Sequence, residues 1–391
     1  MKALVWNGVR NLKVENVPDP EILNPRDAIV KVLMSSVCGS DLHLINGFIP
    51  TMREGDIIGH EFLGEVVETG KEVKKLKPGD RVVVVSVIGC GECHYCNQGT
   101  WSLCDNSNPH AWLQEKQFNY ATGGIFGYSH MFGGYAGSHA EYIRVPYADN
   151  GAFIIPEGVT NEQAVFASDA IPTGYMAAEM GNIRPGDVVA VWGCGGVGLM
   201  AMQSAFLMGA AKVIAIDRYD YRLQAAAKYG NAETLDYTQT DVPDALKAAT
   251  GGRGPDVCID AVGLEAHTTG IEEAYDKTKQ SLHLQTDRPA VLRQAIMACR
   301  KGGTVSVVGV YSGLIDKFPM GMAMNKGLII RAGQMHGQKY APILLDLLRE
   351  GKINSSFLLT HPAPLEAGAE GYKMFNDKSN ECLRVVFTPH G

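Results

Sequence analysis

The stretch DVVAVWGCGGVGLMAMQSAFLMGAAKVIAID, residues 187–217, carries the pattern that decides the fold. A short apolar strand runs into G-x-G-x-x-G at Gly193, Gly195 and Gly198, a helix follows, and a second strand ends at Asp217. An acid about twenty residues beyond such a glycine turn is typical of a strand–turn–helix unit that binds a dinucleotide. The alternative is a turn of the same shape that binds no phosphate.

Each glycine of the turn has a separate predicted role. Gly193 makes the tight turn, Gly195 lets backbone amides approach the pyrophosphate, and Gly198 brings the helix against the sheet. Asp217 favours NAD over NADP, because a carboxylate accepts a hydrogen bond from a free 2′-hydroxyl and repels a 2′-phosphate; Arg218 beside it weakens that preference. The predicted cofactor contacts are Gly193, Gly195, Gly196, Val197, Gly198, Asp217, Arg222, Val262 and Val308.

Two further apolar runs extend this unit. PDVCIDAVG (255–263) and GGTVSVVGV (302–310) are predicted to be buried parallel strands. The sequence therefore predicts an α/β fold with a doubly wound parallel sheet. The uncharged segment 188–211 is as long as a membrane span, but the glycines in its first third favour a strand, a turn and a helix.

Length and composition bound the class of protein. At 391 residues the chain is too long for one core, which predicts two domains. Its net charge is −7 and no basic block is present, which argues against nucleic acid or an anionic membrane as the partner. The N-terminal segment MKALVWNGVRNLKVE lacks the apolar core of a signal peptide, so a cytoplasmic location is expected.

Four of the nine cysteines stand in GCGECHYCNQGTWSLC, residues 89–104. Cys90, Cys93, Cys96 and Cys104 have the spacing C-x2-C-x2-C-x7-C, which suits one tetrahedral zinc ion. Four thiolates leave no open position, so this zinc is predicted to be structural. The alternatives are an iron–sulfur cluster, whose bacterial motif is tighter and ends in C-x3-C-P, and four unrelated thiols.

Cys38 and His60 belong to a second candidate metal site, which is predicted to keep one coordination position open for a substrate. Cys38 stands in SSVCGSDLHL (35–44) and His60 in GDIIGHEFLGEVVETG (55–70), each at the end of an apolar strand. Asp41 is placed to orient a ligand histidine by a hydrogen bond.

A catalytic zinc needs three protein ligands and one open position. The candidates for the third ligand are Glu61, directly after His60, and Asp169 in FASDAIPTGYMAAE, which is also a simple candidate for a helix N-cap. The spacing does not decide between them.

Together these motifs resemble the zinc-dependent medium-chain alcohol dehydrogenases over essentially the whole chain. The resemblance rests on CGSDLH (38–43), GHE (59–61), the four-cysteine segment, GSHAEYIRVP (137–146) and GCGGVG (193–198). It implies two domains with the active site in the cleft between them. A GroES-like, mostly-β catalytic domain spans residues 1–169, a Rossmann domain for NAD spans 170–332, and residues 333–391 return to the catalytic domain.

The resemblance also implies a ligand set and roles. Classical members have a cysteine where this chain has Asp169, and some bacterial branches place an aspartate there. The implied ligands of the catalytic zinc are thus Cys38, His60 and Asp169, with Glu61 entering transiently. Ser40 would accept the substrate proton and His43 would pass it to solvent through the cofactor ribose; an exposed surface histidine is the alternative for His43.

Two insertions, 107–134 and 272–294, resemble the glutathione-independent formaldehyde dehydrogenase branch, whereas residues 319–337 resemble general alcohol and polyol dehydrogenases. The second insertion is polar, and it is expected to lie at the surface beside the cofactor domain. The predicted activity is hydride transfer to NAD+ from a primary or secondary alcohol, or from an aldehyde hydrate such as that of formaldehyde. The alternatives are a polyol or amino-alcohol dehydrogenase, a dismutase with tightly bound NAD, and a non-catalytic relative. His267 is a candidate contact to ribose or substrate, and a loop residue without a functional role is the alternative. A homotetramer, or a dimer, is expected.

Overall fold

The computed structural model describes residues 1–264, 266, 289–311 and 313–390. The chain divides into two compact units, one made of Met1–Pro172 and Met335–Gly391, the other of Thr173–Gln334. The domain boundaries predicted from the sequence lie a few residues before these division points. His267 and residues 272–288 of the second insertion lie outside the described residues.

The first unit is mostly β structure. Its strands are β1 (Lys2–Trp6), β2 (Leu12–Asn16), β3 (Ala28–Ser36), β4 (Asp56–Ile57), β5 (Glu61–Thr69), β6 (Arg81–Val84), β7 (Val87–Ile88), β8 (Gly124–Ile125), β9 (Tyr142–Val145), β10 (Ala152–Ile154), β17 (Leu359–Pro364) and β18 (Arg384–Thr388). A seven-stranded sheet has the order β10-β6-β5-β3-β18-β17, with β9 also paired to β3. Because β18 pairs antiparallel with β3, the end of the chain completes the sheet that its beginning starts.

The helices of the first unit are short, apart from two near the end of the chain. They are α1 (Gly39–Ile45), α2 (His94–Asn97), α3 (Ala111–Phe118), α4 (Ala148–Gly151), α5 (Asn161–Ala164), α12 (Gly337–Arg349) and α13 (Gly368–Asp377). Helix α13 packs on the sheet through Tyr372 and Phe375, which share a buried cluster with Leu4, Leu42 and Phe387. Helix α6 (Ala170–Gly181) begins in the first unit and continues into the second.

The second unit is the predicted doubly wound sheet. Its strands are β11 (Val188–Trp192), β12 (Lys212–Asp217), β13 (Glu233–Asp236), β14 (Val257–Asp260), β15 (Thr304–Val307) and β16 (Ile329–Ala332), and its further helices are α7 (Gly196–Leu207), α8 (Asp220–Gly230), α9 (Val242–Ala249), α10 (Ala290–Ala298) and α11 (Met320–Lys326). The six strands are all parallel, in the order β13-β12-β11-β14-β15-β16. Counted along the chain this is 3-2-1-4-5-6, the order of Rossmann folds.

The end of the second predicted insertion does not lie at the surface. Residues 290–294 were expected to belong to a polar surface segment, but they begin helix α10. Ala290, Val291 and Leu292 are 2%, 7% and 6% exposed, within the core of the second unit. The surface prediction is wrong for these residues, because their apolar side chains recur at helical spacing and pack against the sheet.

Among the described residues, every helix is too short or too polar to cross a lipid bilayer. This includes helix α7, which occupies most of the uncharged segment and is 12 residues long.

Candidate metal centres and nucleotide site

The register of two antiparallel strands brings Cys38 and His60 together. Strands β3 and β5 pair so that Ser36 lies opposite Glu61. Cys38 follows the end of β3 and His60 precedes the start of β5, so both fall at the same end of this pair. Their side chains are buried, at 6% and 3% exposure.

Glu61 joins these two residues. One ligand atom each of Cys38, His60 and Glu61 lie within 4.8 Å of one another. The Glu61 carboxylate is fully buried, and within the described residues neither of its oxygens accepts a hydrogen bond. Its Oε1 lies 3.3 Å from Nη2 of Arg384, which is also buried. A buried thiol, imidazole and carboxylate around one point are the donor set of a zinc ion, so these residues fit the metal.

Asp41 holds the His60 ring. Its Oδ1 lies 3.0 Å from Nδ1 of His60, while its Oδ2 accepts a hydrogen bond of 2.9 Å from the backbone N–H of Cys38. The contact that the sequence predicted for Asp41 is therefore present. With Nδ1 engaged, Nε2 of His60 presents its lone pair, which is the arrangement of a metal-ligating histidine.

Burial and charge shape the ionisation of this centre. Burial raises the pKa of the Cys38 thiol. Burial likewise raises the pKa of Glu61 to about 7, with Arg384 opposing the rise and the charge of Asp169 adding to it. A cation bound among these groups would favour their charged forms.

Ser40 and His43 both belong to helix α1. The Ser40 hydroxyl lies 3.3 Å from Sγ of Cys38 and 3.2 Å from Nε2 of His60, between the two residues. His43 is 4% exposed. The alternative of an exposed surface histidine is therefore wrong for His43.

Asp169 lies beside the group of three residues without belonging to it. The side chain is partly buried, and its Oδ2 accepts a hydrogen bond of 2.5 Å from the Ser86 hydroxyl. It is near enough for its charge to act on both Glu61 and Arg384. The structure thus brings both candidates for the third ligand to one centre, Glu61 within the 4.8 Å group and Asp169 at its edge.

Sequence reasoning missed four residues around this centre: Arg384, Ser86, Tyr372 and His139. His139 stands inside the quoted segment GSHAEYIRVP, where an unexplained histidine between small residues was an available signal. Tyr372 and Arg384 lie far along the chain from Cys38 and His60, and only the sheet topology brings them near, while Ser86 follows strand β6 without a local pattern that marks it.

His139 predicts a pH dependence of stability. Its ring is fully buried, and burial lowers its pKa from 6.5 to about 4. The unfolded chain takes up this proton below pH 6.5 and the folded chain only below about 4, so stability is full above pH 6.5 and falls on acidification to pH 4. The loss from this residue is about 3 kcal/mol. Urea unfolding at intervals between pH 7 and 4 should give a shallower decline for His139→Gln, and equal slopes for variant and wild type would contradict this.

The four cysteines of the segment 89–104 surround one point, as predicted. Their sulfurs lie within 4.8 Å of one another, with Cys90 and Cys96 3.9 Å apart and Cys93 and Cys104 3.8 Å apart. A tetrahedron with zinc–sulfur bonds of about 2.3 Å has edges of about 3.8 Å. Backbone N–H groups of Cys90, Cys93 and Cys96 point at sulfurs of the cluster, which stabilises thiolate charge.

The glycine turn has the geometry that the sequence predicted. Gly193 has φ +91°, and Gly195 is the N-cap of helix α7. A Cβ at Gly198 would lie 1.8 Å from the carbonyl oxygen of Gly193, whereas one at Gly195 would meet nothing within 4 Å. Open space at Gly195, before the N-terminus of a helix that begins with Gly196 and Val197, fits a bound pyrophosphate.

Asp217 ends strand β12 next to this turn. Its Oδ2 accepts from the N–H of Cys194 at 2.8 Å, and its Oδ1 accepts from the N–H groups of Arg218 at 2.7 Å and Tyr219 at 3.2 Å. Nη1 of Arg222 lies 3.9 Å from Oδ2. Two carboxylate oxygens have about four acceptor positions, so Asp217 keeps capacity for a ribose hydroxyl.

The remaining predicted cofactor contacts follow neighbouring strands. Val262 follows β14 and Val308 follows β15, so both lie at the carboxyl edge of the sheet, as Gly193 and Asp217 do. The buried Asp260 fixes this edge, because its Oδ1 accepts from the N–H groups of Val262 and Gly263, each at 3.0 Å. All the predicted cofactor residues therefore share the edge at which open parallel sheets bind ligands.

These two units and their metal donor sets define a class of protein: a zinc-binding dehydrogenase with a nucleotide-binding sheet. The profile of the alcohol dehydrogenase GroES-like domain matches residues 24–157, and that of the zinc-binding dehydrogenase domain matches residues 196–281. The chain belongs to the zinc-type medium-chain alcohol dehydrogenases.

Relatives match over the full length. The chain is 41% identical to an uncharacterized zinc-type alcohol dehydrogenase-like protein AdhB of Bacillus subtilis, with 100% of each chain covered. It is 30% identical to a glutathione-independent formaldehyde dehydrogenase of Pseudomonas aeruginosa, covering 100% of this chain and 98% of that one. Among solved structures, the alcohol dehydrogenase TADH from Thermus sp. ATN1 matches with a TM-score of 0.83, 34% identity and 99% coverage of both chains.

Proposed function

We propose that this protein is an NAD-dependent zinc dehydrogenase that oxidises small alcohols and aldehyde hydrates, with formaldehyde hydrate as the substrate to test first. The observation that carries the proposal is the presence of two groups of metal donors in one chain, one of four cysteines and one of Cys38, His60 and Glu61. Four thiolates would fill the coordination sphere of a zinc ion, whereas three donors would leave one position open for a substrate.

We assign the catalytic metal to Cys38, His60 and Asp169. Glu61 lies nearer than Asp169 to Cys38 and His60, but its carboxylate is 3.3 Å from the Arg384 guanidinium. Binding of Glu61 to the metal would therefore compete with its ion pair with Arg384, which favours Asp169. One thiolate, one carboxylate and a neutral imidazole balance the two charges of zinc. When bound there, zinc supplies a Lewis acid that lowers the pKa of a substrate hydroxyl.

The chain's own residues would manage the substrate proton. The Ser40 hydroxyl stands between Cys38 and His60, where it is placed to accept that proton. His43 lies one helical turn further on in α1, and histidine is the side chain that most often relays protons in enzymes. Asp217 supports NAD as the hydride acceptor, through its remaining acceptor capacity toward the ribose.

The experiment that tests this function follows formate, methanol and NADH from formaldehyde, without glutathione. Formate with equimolar NADH, formed only when NAD+ is added, would support the proposal, since oxidation of the hydrate gives one formate and one NADH. Formate and methanol in equal amounts without added NAD+ would indicate dismutation of two aldehydes on a retained cofactor. Ethanol, a longer primary alcohol and a polyol are assayed in parallel. If only the polyol is oxidised, the proposal is wrong and the protein is a polyol dehydrogenase.

Zinc analysis separates catalysis from a purely structural role. A dehydrogenase of this kind should carry about two zinc ions per chain, and a non-catalytic relative should carry about one. We also propose a cytoplasmic location, because the clustered cysteines converge on one point as metal donors, which is the use of such clusters expected in a reducing compartment.

We also propose that the chain self-associates through strand β16. This strand is the outermost of its sheet, and all four of its residues are exposed, among them Ile329 at 48% and Ile330 at 38%. Met320 and Met324 of helix α11 are exposed at 62% and 70%. An exposed apolar edge strand can form backbone hydrogen bonds with a strand of another chain. A second copy of this protein can pair through the same strand, which gives a dimer with two-fold symmetry.

Ile330→Lys is expected to raise the dissociation constant of the oligomer by about 30-fold or more, since it places a charge in the apolar contact. Light scattering with size-exclusion chromatography over a dilution series measures this. Val67→Lys is the control, because Val67 is a strand residue of the first unit with the same 38% exposure. Equal dissociation of both variants, or an Ile330→Lys oligomer as stable as the wild type, would exclude β16 as the interface.

A further inference from the structure

A chain of buried hydrogen bonds leads away from the first metal centre. Oδ2 of Asp41 accepts from the Tyr372 hydroxyl at 2.8 Å, and the same hydroxyl lies 2.7 Å from Nε2 of His139. Nδ1 of His139 lies 2.7 Å from the hydroxyl of Ser35, which in turn lies 2.7 Å from the hydroxyl of Ser138. These hydrogen bonds connect the Asp41 carboxylate, which contacts the proposed metal ligand His60, to Tyr372 and His139, two residues that the sequence analysis did not identify.

The direction of each hydrogen bond in this chain is determined. The Asp41 carboxylate only accepts, so the single hydroxyl hydrogen of Tyr372 is donated to it. The Tyr372 oxygen must then accept from an N–H at Nε2 of His139. A neutral histidine has one N–H, so its Nδ1 accepts from the Ser35 hydroxyl, and Ser35 accepts from Ser138. His139 is neutral because burial lowers its pKa to about 4.

The residues joined by these hydrogen bonds come from distant parts of the first unit. Ser35 is in β3, Asp41 in α1 and Tyr372 in α13, while Ser138 and His139 precede β9. Ser35, Asp41, Ser138 and His139 are 0% exposed and Tyr372 is 2% exposed. Most polar groups buried at this depth have hydrogen-bond partners, and each of these five side chains has at least one, so this series of hydrogen bonds is a specific feature of the unit.

We propose that Tyr372 and His139 are positioning residues for the catalytic metal, acting through Asp41 on His60. The Tyr372 hydroxyl and the Cys38 N–H together hold Oδ2 of Asp41, which leaves Oδ1 to engage Nδ1 of His60 at 3.0 Å. This fixes the ring and its tautomer, with the hydrogen on Nδ1 and the lone pair of Nε2 directed toward Ser40 and Cys38, where a metal would bind. Hydrogen bonds of this kind change metal affinity by about 10- to 100-fold. The inference rests on the proposed metal site.

The test is Tyr372→Phe, which keeps the ring and removes the hydroxyl. We expect loss of one of the two zinc ions to a chelator about 10-fold or more faster than in the wild type, with the four-cysteine zinc unchanged. After cobalt replaces the catalytic zinc, the ligand-field absorption bands should shift. Turnover should fall while KM changes less, since the substrate contacts remain.

Tyr135→Phe is the matched control. Tyr135 is a partly buried tyrosine of the first unit, and its hydroxyl donates to the backbone carbonyl of Ser107 at 2.7 Å, outside the hydrogen bonds that lead to Asp41. If Tyr372→Phe and Tyr135→Phe release the catalytic metal at the same rate and have the same cobalt spectrum, the inference is overturned. Ser35→Ala, which removes the donor to His139, should give a smaller change in the same direction, and it keeps the test decisive if Tyr372→Phe does not fold.

The two proposals fail in different ways. If the wild-type protein carries only one zinc, and it stays with the four cysteines, the proposed function fails before the variants are compared. If the wild type carries two and the Tyr372 variant holds both as firmly as the control, only the positioning role fails.

Discussion

Asp169→Ala should leave about one zinc ion per chain in place of two and lower kcat/KM for the substrate by about 1,000-fold or more. A catalytic zinc is held by three protein ligands, so removing one leaves two and a weakly bound ion. The metal contributes several kcal/mol to stabilising the charge of the reacting oxygen, and each 1.4 kcal/mol is about tenfold in rate. Zinc analysis after dialysis, together with initial rates, measures both effects.

Glu61→Gln, compared with Asp169→Ala, shows which of the two carboxylates is the third ligand of the metal. If Asp169 is the third ligand, Glu61→Gln should retain both zinc ions, because its carboxylate is paired with Arg384. If Glu61→Gln loses the zinc and Asp169→Ala retains it, the ligand set is Cys38, His60 and Glu61, the group that lies within 4.8 Å. Asp19→Ala, at a carboxylate that is 74% exposed, controls for a general effect of losing an aspartate.

The features predicted well from the sequence are local ones. The glycine turn, the helix after it and the strand ending at Asp217 lie within one continuous segment, so spacing alone indicates how they fold. The four cysteines are likewise confined to sixteen residues, and their spacing predicted the cluster found in the structure. Short-range patterns of this kind depend on turns and helical periods that few residues determine.

The features missed depend on pairing between distant segments. Tyr372 reaches Asp41 across 331 positions, and Arg384 reaches Glu61 only because β18 pairs with β3. No local pattern marks a tyrosine on an amphipathic helix as a partner of a buried carboxylate. For the same reason the spacing did not decide between Glu61 and Asp169, because Asp169 comes near the centre only through contacts between segments far apart in the sequence.

The error at residues 290–294 has a different cause. Polar residues upstream, at 272–289, dominated the interpretation of the whole segment as a surface insertion. The run Ala290–Ala298 nevertheless has apolar side chains at helical spacing, and it packs into the core of the second unit. A change of pattern within a segment is a better guide to its burial than its average composition.

Gly198→Ala and Gly195→Ala should separate folding of the nucleotide turn from binding of its ligand. A methyl group at position 198 would lie 1.8 Å from the carbonyl oxygen of Gly193, so the helix must move away from the sheet. We expect a destabilisation of about 3 kcal/mol or more, which corresponds to a fall of about 10 °C in the melting temperature of a unit of this size. NAD binding should be lost with it.

Gly195→Ala should behave differently. Gly195 has φ −78°, which alanine adopts without strain, and its Cβ would meet no atom within 4 Å. The melting temperature should therefore change little, because a substitution without a clash or a lost contact alters stability by about 0.5 kcal/mol or less. The methyl group would occupy the space through which backbone amides approach the pyrophosphate, so the NAD dissociation constant should rise by about 100-fold.

Calorimetry of NAD binding and thermal unfolding of both variants distinguish the two roles. If the Gly195→Ala protein is stable and binds NAD as tightly as the wild type does, the pyrophosphate does not bind at this turn. The nucleotide site would then lie elsewhere along the carboxyl edge of the sheet. A Gly198→Ala protein with unchanged stability would mean that helix α7 can shift without cost. Because the same methyl group is added at two positions three residues apart, any difference between the variants comes from what each glycine faces, the backbone of Gly193 or the space for the ligand.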